Sequence, residues 1–225
     1  MTGVWYFSAA GHSRAVARYL AQALDAQLHE IGEAAASPDT AVVVFPVYCQ
    51  NIPAPVKVFL SKLSSENVAL IATYGKMGCG NVLWEANRLV KGTVIAAGYV
   101  PTGHTYLDQD DVGDLEKLLP VIRRIQKPEP VSIPRRKKWW LADLASAFRS
   151  RMGVRLCKTA ACNACGLCSR SCPMGSMKNG APGKDCIRCL RCARACPQKA
   201  ISVSYSFALR AYLRKPRQEE WIIYG

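Results

Sequence analysis

Short apolar runs alternate with amphipathic stretches through the first 127 residues. The runs are rich in strand-forming residues and predict β-strands at 3–8, 27–31, 40–48, 67–75 and 93–100. Between them, apolar residues recur at helical spacing and predict helices at 13–24, 54–63, 81–91 and 114–126. Pro120 is expected to interrupt the last of these helices. Strands that alternate with helices in this way predict an α/β fold with a parallel sheet covered on both faces.

A doubly wound parallel sheet of five strands commonly has the strand order 2-1-3-4-5, which is the flavodoxin-like arrangement.

The pattern of apolar and polar residues changes after residue 127. Residues 128–156 begin proline-rich and continue into a basic stretch in which four apolar residues share one helical side: Trp140, Leu141, Leu144 and Phe148. This segment is interpreted either as a connector helix between domains or as a docking surface for an acidic protein or a membrane surface.

The cysteines are concentrated in one part of the chain, since nine of the eleven lie between residues 157 and 196. Two runs, 162–173 and 186–197, each read Cys-x-x-Cys-x-x-Cys-x-x-x-Cys-Pro. Such clustering favours metal ligation over a disulfide framework. Zinc usually takes pairs of Cys-x-x-Cys knuckles, whereas two complete four-cysteine runs indicate two [4Fe-4S] clusters. Cys157 falls outside the pattern and is interpreted as a spare buried thiol.

Residues 157–203 resemble a bacterial ferredoxin across that domain's whole length, although the stretch between the runs lacks the usual hydrophobic pattern. In such ferredoxins the fourth cysteine of each run ligates the other cluster. The resemblance therefore implies a small α+β ferredoxin-like domain with crossed ligation. One cluster would be bound by Cys162, Cys165, Cys168 and Cys196, and the second by Cys186, Cys189, Cys192 and Cys172.

The loop after the first strand reads Ser8, Ala9, Ala10, Gly11, His12, Ser13 and leads directly into a helix. Small residues, hydroxyls and a helix N-terminus suit a phosphate, although any strand-to-helix turn favours Gly and Ser. Ligands of doubly wound sheets bind at the carboxyl ends of the strands, so the loops after the third, fourth and fifth strands join this candidate site. Their candidate residues are Pro46, Val47, Tyr48, Cys49, Asn51, Thr73, Tyr74, Gly75, Gly78 and Tyr106.

These four loops together predict a site for FMN. A dinucleotide is disfavoured because the chain lacks the G-x-G-x-x-G fingerprint with its acidic ribose partner. Tyr48, Tyr74 and Tyr106 offer flat surfaces for a ring. Cys49 and Cys79 are interpreted as small loop residues, with flavin tuning or redox chemistry as the alternative.

The order of the segments resembles the fused flavodoxin–ferredoxin electron carriers of anaerobic bacteria and archaea. The resemblance runs from "YFSAAGHS" through "FPVY" and "TYG" to the double cysteine run. Members of that group often have Thr at the position of Ala10 and Asn at that of His12, and these departures remove familiar phosphate contacts. The resemblance implies a protein that relays low-potential electrons between FMN and two [4Fe-4S] clusters, to or from redox partner proteins.

Two other functions stay open. The chain is alternatively an FMN-dependent reductase supplied by its own ferredoxin domain, with His104 as the best acid candidate. It is alternatively a ferredoxin whose flavodoxin-like domain serves only for docking. We expect an electron carrier more than a stand-alone enzyme, and no catalytic residue is assigned.

The predicted organisation is an FMN-binding domain at 1–127, a basic and partly helical linker at 128–156, a ferredoxin domain at 157–203 and a tail at 204–225.

The formal net charge of +14 falls to about +8 once cluster thiolates and a flavin phosphate are included. We therefore expect partners with acidic docking surfaces, and no nucleic acid because no such module is visible. No apolar run approaches the roughly 18 residues of a membrane span, and no signal peptide is evident, so a cytoplasmic location is expected. Homodimer formation is left open.

Overall fold

The computed structural model describes residues 1–33, 38–107, 111–139, 146–215, 217 and 219–225. The chain divides into two compact units. The first contains residues 1–139 and 217–225, and the second contains residues 140–216. The first unit is therefore built from two stretches of chain that the second unit separates in the sequence.

A six-stranded sheet forms the centre of the first unit. Its strands are β1 (Thr2–Tyr6), β2 (Gln27–Glu30), β3 (Thr40–Pro46), β4 (Asn67–Tyr74), β5 (Thr93–Pro101) and β10 (Ile222–Tyr224). They lie in the order β10-β5-β4-β3-β1-β2, and every pair is parallel except β10 with β5. The first five strands thus have the predicted order 2-1-3-4-5, which confirms the flavodoxin-like fold class.

Helices cover both faces of this sheet. They are α1 (His12–Ala23), α2 (Ala54–Lys62), α3 (Val82–Asn87) and α4 (Leu119–Gln126). α1 and α4 pack on the face that carries Val4 and Ile71. α2 and α3 lie on the other face, where the Phe59 ring is 6.0 Å from that of Trp5. A short 3-10 helix at Leu115–Leu118 precedes α4, because Pro120 is tolerated only in the first turn of the α-helix.

The central strands are apolar on both sides because both faces are covered. Every residue of β3 except Pro46 is buried, and every residue of β4 except Asn67. Leu70 at the middle of β4 is completely buried. Its replacement by Ala is expected to lower the free energy of unfolding by about 2–5 kcal/mol. The sheet is thus a rigid support for the loops at its edges.

The second unit is built from short elements. Its helices are α5 (Ser146–Gly153), α6 (Leu167–Arg170), α7 (Arg191–Arg194) and α8 (Phe207–Leu213). Its strands are β6 (Val154–Lys158), β7 (Met177–Lys178), β8 (Ala181–Pro182) and β9 (Ile201–Tyr205). β6 pairs with β9 and β7 with β8, both antiparallel. Asn179 and Gly180, both with positive φ, form the tight turn between β7 and β8.

The structure differs from the predicted linker and tail. Residues 128–139 form neither a helix nor a strand, α5 begins only at Ser146, and residues 154–156 already belong to β6. Trp140, Leu141 and Leu144 of the predicted helix lie outside the described residues. Residues 204–225 contain α8 and the strand β10. β10 is stabilised by pairing with β5, a contact far away in the sequence that a local pattern does not reveal.

Candidate functional site

A cavity lies at the carboxyl ends of β1, β3, β4 and β5, where the sequence places the flavin loops. Because these strands are parallel neighbours, the loops that follow them meet at one edge of the sheet. The cavity is lined by Ser8, Ala9, Ala10, His12, Ser13, Pro46, Val47, Tyr48, Thr73, Tyr74, Gly75, Thr102, Gly103 and Thr105.

The loop after β1 forms one wall of this cavity and ends at the N-terminus of α1. The Ser8 hydroxyl oxygen accepts a hydrogen bond from the Gly11 N–H at 3.1 Å. Gly11 has φ = 102°, a conformation that favours glycine, and a Cβ at this position would meet no heavy atom within 4 Å. Small side chains and the exposed N–H groups of a twelve-residue helix make this wall suitable for a phosphate group.

The loop after β4 forms the neighbouring wall. The Ser13 and Thr73 hydroxyl oxygens are 2.8 Å apart and both residues are buried. This hydrogen bond joins the start of α1 to the end of β4, and it fixes the two loops relative to each other. Gly75 is required for the close approach of His104, since a Cβ at Gly75 would lie 2.6 Å from the His104 ring.

The loop after β3 contains a strained turn. Tyr48 and Asn51 exchange backbone hydrogen bonds of 3.0 and 2.9 Å. The two residues between them, Cys49 and Gln50, have φ values of 51° and 62°. A turn of this type is usually made by Asn or Gly, and such conformations in other residues are often found at functional sites.

Tyr74 lines the cavity, but its ring is not available to stack on the ring of a ligand. Its side chain is buried, and its ring packs edge-on against Tyr99 with 6.4 Å between ring centres. Its hydroxyl donates to the Glu220 carbonyl oxygen at 2.7 Å and accepts from the Glu220 N–H at 3.0 Å. Burial raises the pKa of Tyr74 to about 12. We therefore correct the expectation that the Tyr74 ring offers a flat face to a ligand.

His104 is not suited to the acid role considered for a reductase. Its Nδ1 atom accepts a hydrogen bond from the Tyr106 N–H at 3.1 Å. Burial lowers the pKa of His104 to about 4, and the nearby Arg217 adds to the shift. The ring is therefore neutral at neutral pH and holds its proton on Nε2.

The predicted flavin residues separate into two groups. Eleven of the sixteen line the cavity, while five do not: Gly11, Cys49, Asn51, Gly78 and Tyr106. Sequence reasoning missed Thr102, Gly103 and Thr105. All three belong to the stretch "VPTGHTY" after the fifth strand, where small hydroxyl residues and Gly are common in any loop and give only a weak signal.

The two cysteines of the first unit lie outside the cavity lining. Cys49 is exposed in the strained turn, and Cys79 is buried. Burial raises the pKa of the Cys79 thiol, although the adjacent Arg136 opposes the shift. A protonated, buried thiol is a poor nucleophile, which supports the interpretation of Cys79 as a packing residue.

The two cysteine runs of the second unit have the same backbone conformation. Left-handed residues stand at equivalent places in each run, Ala164 and Gly166 in the first and Arg188 and Leu190 in the second. In each run the second of these residues caps a four-residue helix, α6 or α7. Alternation between left-handed and right-handed residues turns successive N–H groups towards one concave side, which is a common way to hold an anionic iron–sulfur centre.

A second cavity brings the second run together with one cysteine of the first. It is lined by Cys172, Cys186, Cys189 and Cys192, with the remaining wall formed by Leu156, Pro173, Met174, Met177, Ile187 and Leu190. These four are the cysteines that crossed ligation assigns to one cluster. Burial raises the pKa of Cys192 to about 12, with Cys189 and Cys186 adding to the shift. Iron that binds here must therefore displace thiol protons.

The other four predicted ligands belong to the equivalent loop of the first run and its partner Cys196. Cys165 is exposed, while Cys162, Cys168 and Cys196 are half-buried. Within the described part of the chain, no three His, Cys, Asp or Glu side chains converge at the spacing of a single metal ion. A cubane is a different case, because each of its four thiolates binds a different iron.

Positive charge is unevenly divided between the units. Residues 140–216 contain 14 of the 30 Lys and Arg residues but only two of the 16 Asp and Glu residues. The second unit thus has a formal charge of +12, and the first unit has +2. Among the described residues, no helix is long and apolar enough to cross a membrane.

Comparisons with known proteins found one family model and several solved structures that are similar to parts of the chain. Residues 184–202, which contain the second cysteine run, match the family model of the 4Fe-4S binding domain. A short-chain flavodoxin associated with a non-canonical PDU bacterial microcompartment is 17% identical over 56% of the chain and 97% of its own length, with a TM-score of 0.45. A flavodoxin from the domain Archaea is 17% identical over 56% of the chain and 98% of its own length, with a TM-score of 0.44.

No curated protein matches the chain. The strand order 2-1-3-4-5 of the first unit and the 4Fe-4S match of the second rest on independent observations. The chain is therefore a fusion of a flavodoxin-like domain with a ferredoxin-type 4Fe-4S segment, as its sequence predicts.

Proposed function

We propose that the protein transfers low-potential electrons between FMN, bound by the first unit, and two [4Fe-4S] clusters, bound by the second unit, and exchanges them with redox partner proteins. The observation that carries this proposal is the meeting of Cys172 with the three cysteines of the second run in one cavity. Crossed ligation of this kind is the arrangement of two-cluster ferredoxins.

The residues of the first cavity fit FMN. The loop Ser8–Ser13 would hold the phosphate at the start of α1, where N–H groups and the helix dipole favour an anion. Val47, Tyr48, Gly75 and Gly103 would border the ring. The Ser13–Thr73 hydrogen bond keeps the two sides in place before a ligand binds. A pre-formed site avoids the cost of ordering loops during binding.

The residues of the second unit fit two clusters. The apolar wall of Leu156, Met177 and Leu190 excludes water from the cysteines of the second run. The matching conformation of the first run supports an equivalent cluster on Cys162, Cys165, Cys168 and Cys196. When bound, clusters exchange single electrons and flavin exchanges one or two, so the protein would supply positioning and shielding while the cofactors supply the chemistry.

The charge distribution supports partners with acidic docking surfaces. The second unit has a formal charge of +12, which two clusters reduce to about +8. The side chain of Phe207 is 86% exposed and that of Met152 is 65% exposed. A hydrogen bond of 2.9 Å from the Ser206 N–H to the Gly153 carbonyl oxygen brings their backbones together. Apolar anchors surrounded by positive charge are typical of surfaces that bind an acidic protein.

Free thiols at these spacings are maintained in a reducing compartment, which supports our proposal of a cytoplasmic location. The reductase alternative loses its acid candidate, because His104 is neutral at neutral pH and does not line the cavity.

Anaerobic purification of the full chain tests the proposal. We expect about eight irons, eight inorganic sulfides and one FMN per chain. When the oxidised protein is mixed anaerobically with less than one equivalent of dithionite as the electron donor, cluster absorbance should bleach first, and flavin absorbance should then bleach at a rate independent of protein concentration. An iron content near four, zinc in place of iron, or failure to bind added FMN would contradict the respective part of the proposal.

A further inference from the structure

The last nine residues of the chain complete the first unit. Residues 217–225 follow the whole iron–sulfur unit in the sequence, yet they belong to the unit that contains the flavin cavity. β10 pairs with β5, with Ile222 opposite Tyr99 and Tyr224 opposite Ala97. Gly98 leaves room for this strand, since a Cβ there would lie 2.9 Å from Cδ1 of Ile223.

Lys76 joins this C-terminal segment to two loops of the cavity. Its side chain is only 10% exposed, and its ammonium nitrogen lies 2.6 Å from an Asp111 carboxylate oxygen and 2.5 Å from a Glu219 carboxylate oxygen. Burial opposes the charge of Lys76, but the hydrogen bonds to the two carboxylates outweigh it and raise the pKa. The backbone of Lys76 has φ = 58°, which is unfavourable for a residue with a side chain.

Both loops that Lys76 connects contribute walls to the cavity. Lys76 directly follows Thr73–Gly75, which line it. Asp111 belongs to the loop after β5, and its carbonyl oxygen accepts the Gly103 N–H at 2.5 Å. The two loops are also joined by the Thr102 N–H, which donates to the Tyr74 carbonyl oxygen at 2.9 Å. Loss of the Lys76 contacts is therefore expected to affect both loops, the one after β4 and the one after β5.

A second set of contacts holds the same segment in place. The Tyr74 hydroxyl is bonded to both backbone groups of Glu220, at 2.7 and 3.0 Å. The Trp221 ring packs on Gly113, where a Cβ would be 3.2 Å from it, and receives the Lys117 ammonium group at 5.6 Å. The C-terminal segment thus contacts the end of β4 and the loop after β5, close to the residues that line the cavity.

We infer that Lys76 and Glu219 are positioning residues of the flavin site, which hold the loops after β4 and β5 in the binding conformation. We call Lys76, Asp111, Glu219 and the Tyr74–Glu220 pair the C-terminal clasp. The inference rests on the proposed function, because it assigns the clasp to the FMN cavity. Since Glu219 and Glu220 follow the iron–sulfur unit in the sequence, a chain that ends before residue 217 lacks these two members of the clasp. The flavin site is then completed only by a chain that already contains every cluster ligand.

Titration of the flavin-free, cluster-loaded full chain with FMN tests the inference. Lys76→Met removes both ion pairs and should weaken FMN binding about tenfold, because loops that are no longer fixed must be ordered during binding. Glu219→Gln removes one pair and should have a smaller effect in the same direction. Lys76→Arg keeps both carboxylate partners and should bind FMN nearly as tightly as wild type. The control is Glu129→Gln, which breaks the ion pair with Arg124 on α4 in the same unit and should not change binding.

Hydrogen exchange of the flavin-free protein gives a readout that does not depend on FMN. The amides of Thr102 and Gly103 should exchange faster in Lys76→Met and Glu219→Gln than in wild type or Glu129→Gln. Failure of the wild-type protein to bind FMN would contradict the proposed function, while the exchange rates would still test the clasp. Wild-type exchange rates in Lys76→Met, or an equal loss of FMN affinity in Glu129→Gln, would overturn the inference.

Discussion

Cys172 belongs to the first cysteine run, yet it lines the same cavity as Cys192 of the second run. The first run continues through α6, and Cys172 follows this helix two residues after its end at Arg170. The equivalent hydrogen bonds recur 24 residues later, where Ala195 donates to Arg191 as Ser171 donates to Leu167, both at 2.9 Å. The repeat therefore predicts that Cys196 has the reciprocal role.

Crossed ligation predicts that each fourth cysteine supports the distant cluster. Cys172→Ala should damage the cluster held by the second run, and Cys196→Ala the one held by the first. EPR spectra of the two reduced variants, compared with Cys189→Ala as a reference for loss of the second-run cluster, measure which signal is lost. If Cys172→Ala resembles loss of the first-run cluster instead, each run binds its own cluster and the crossing is wrong.

Most of the sheet is predictable from the sequence because the signals are local. The buried strands β3, β4 and β5 are continuous apolar runs, and helices lie between them. β10 has only three residues, Ile222–Tyr224. Its conformation depends on pairing with β5 more than 100 residues earlier, so residues 204–225 look like a tail when the sequence is read alone.

The candidate site was predictable at the level of loops and less so at the level of side chains. Parallel strands force the loops after β1, β3, β4 and β5 to one edge, so Ser8, Pro46 and Thr73 follow from topology. The role of Tyr74 does not, because its hydroxyl is bonded to Glu220, 146 residues away. The ion pair between Lys76 and Glu219 could not be predicted from the sequence either. Its two residues lie 143 positions apart, on either side of the second unit in the sequence.

Gly11 does not line the cavity, but it is the residue directly before α1, so a negative charge there should repel a phosphate bound at the N-terminus of this helix. Gly11→Asp puts a carboxylate beside the N-terminus of α1, and Coulomb repulsion at about 4 Å with a surface-like dielectric is of order 4 kcal/mol. FMN affinity should fall roughly a thousandfold, as measured by titration of the flavin-free protein.

The control for this change is Gly11→Asn, which has the same shape without the charge. Because Gly11 has φ = 102°, either side chain adds backbone strain of about 1 kcal/mol, and that cost is shared. The difference between the two variants therefore isolates the electrostatic effect. Equal FMN affinity for Gly11→Asp and Gly11→Asn would show that the phosphate binds elsewhere.

His104 should make the first unit sensitive to acid. Burial lowers the pKa of His104 to about 4 in the folded protein, against about 6.5 in an unfolded chain. The unfolded state therefore binds the proton more readily, and the free energy of unfolding falls as the pH decreases from about 6.5 towards 4. The stability is fully present above the unfolded pKa, and the loss at the acid end is roughly 3 kcal/mol.

Comparison of wild type with His104→Gln measures this contribution. Both proteins carry the same clusters, so the difference in their free energies of unfolding removes acid effects on the iron–sulfur unit. That difference should change by roughly 3 kcal/mol between pH 7 and pH 4. Parallel pH profiles for the two proteins would show that His104 is not protonated during acid unfolding.

The positive charge of the second unit predicts how salt changes the rate of association with redox partner proteins. Lys178 ends β7, and Lys184 follows β8 by two residues, ahead of the second cysteine run; both are exposed. Attraction between this basic unit and an acidic protein accelerates association by about 10–1,000-fold at low ionic strength, and salt screens it. A basic partner should show the opposite dependence on salt.

Electron transfer from the reduced protein to an acidic flavodoxin and to the basic cytochrome c tests this expectation by stopped flow. The rate with flavodoxin should fall by about tenfold between roughly 0.02 and 0.3 M salt, and the rate with cytochrome c should rise. The double variant Lys178→Glu, Lys184→Glu should lose most of the salt effect with flavodoxin. The double variant Lys57→Glu, Lys91→Glu changes the net charge equally but alters exposed residues of the first unit, and it should keep the effect. Equal losses in the two variants would mean that net charge alone steers association, and that Lys178 and Lys184 do not belong to a specific docking surface.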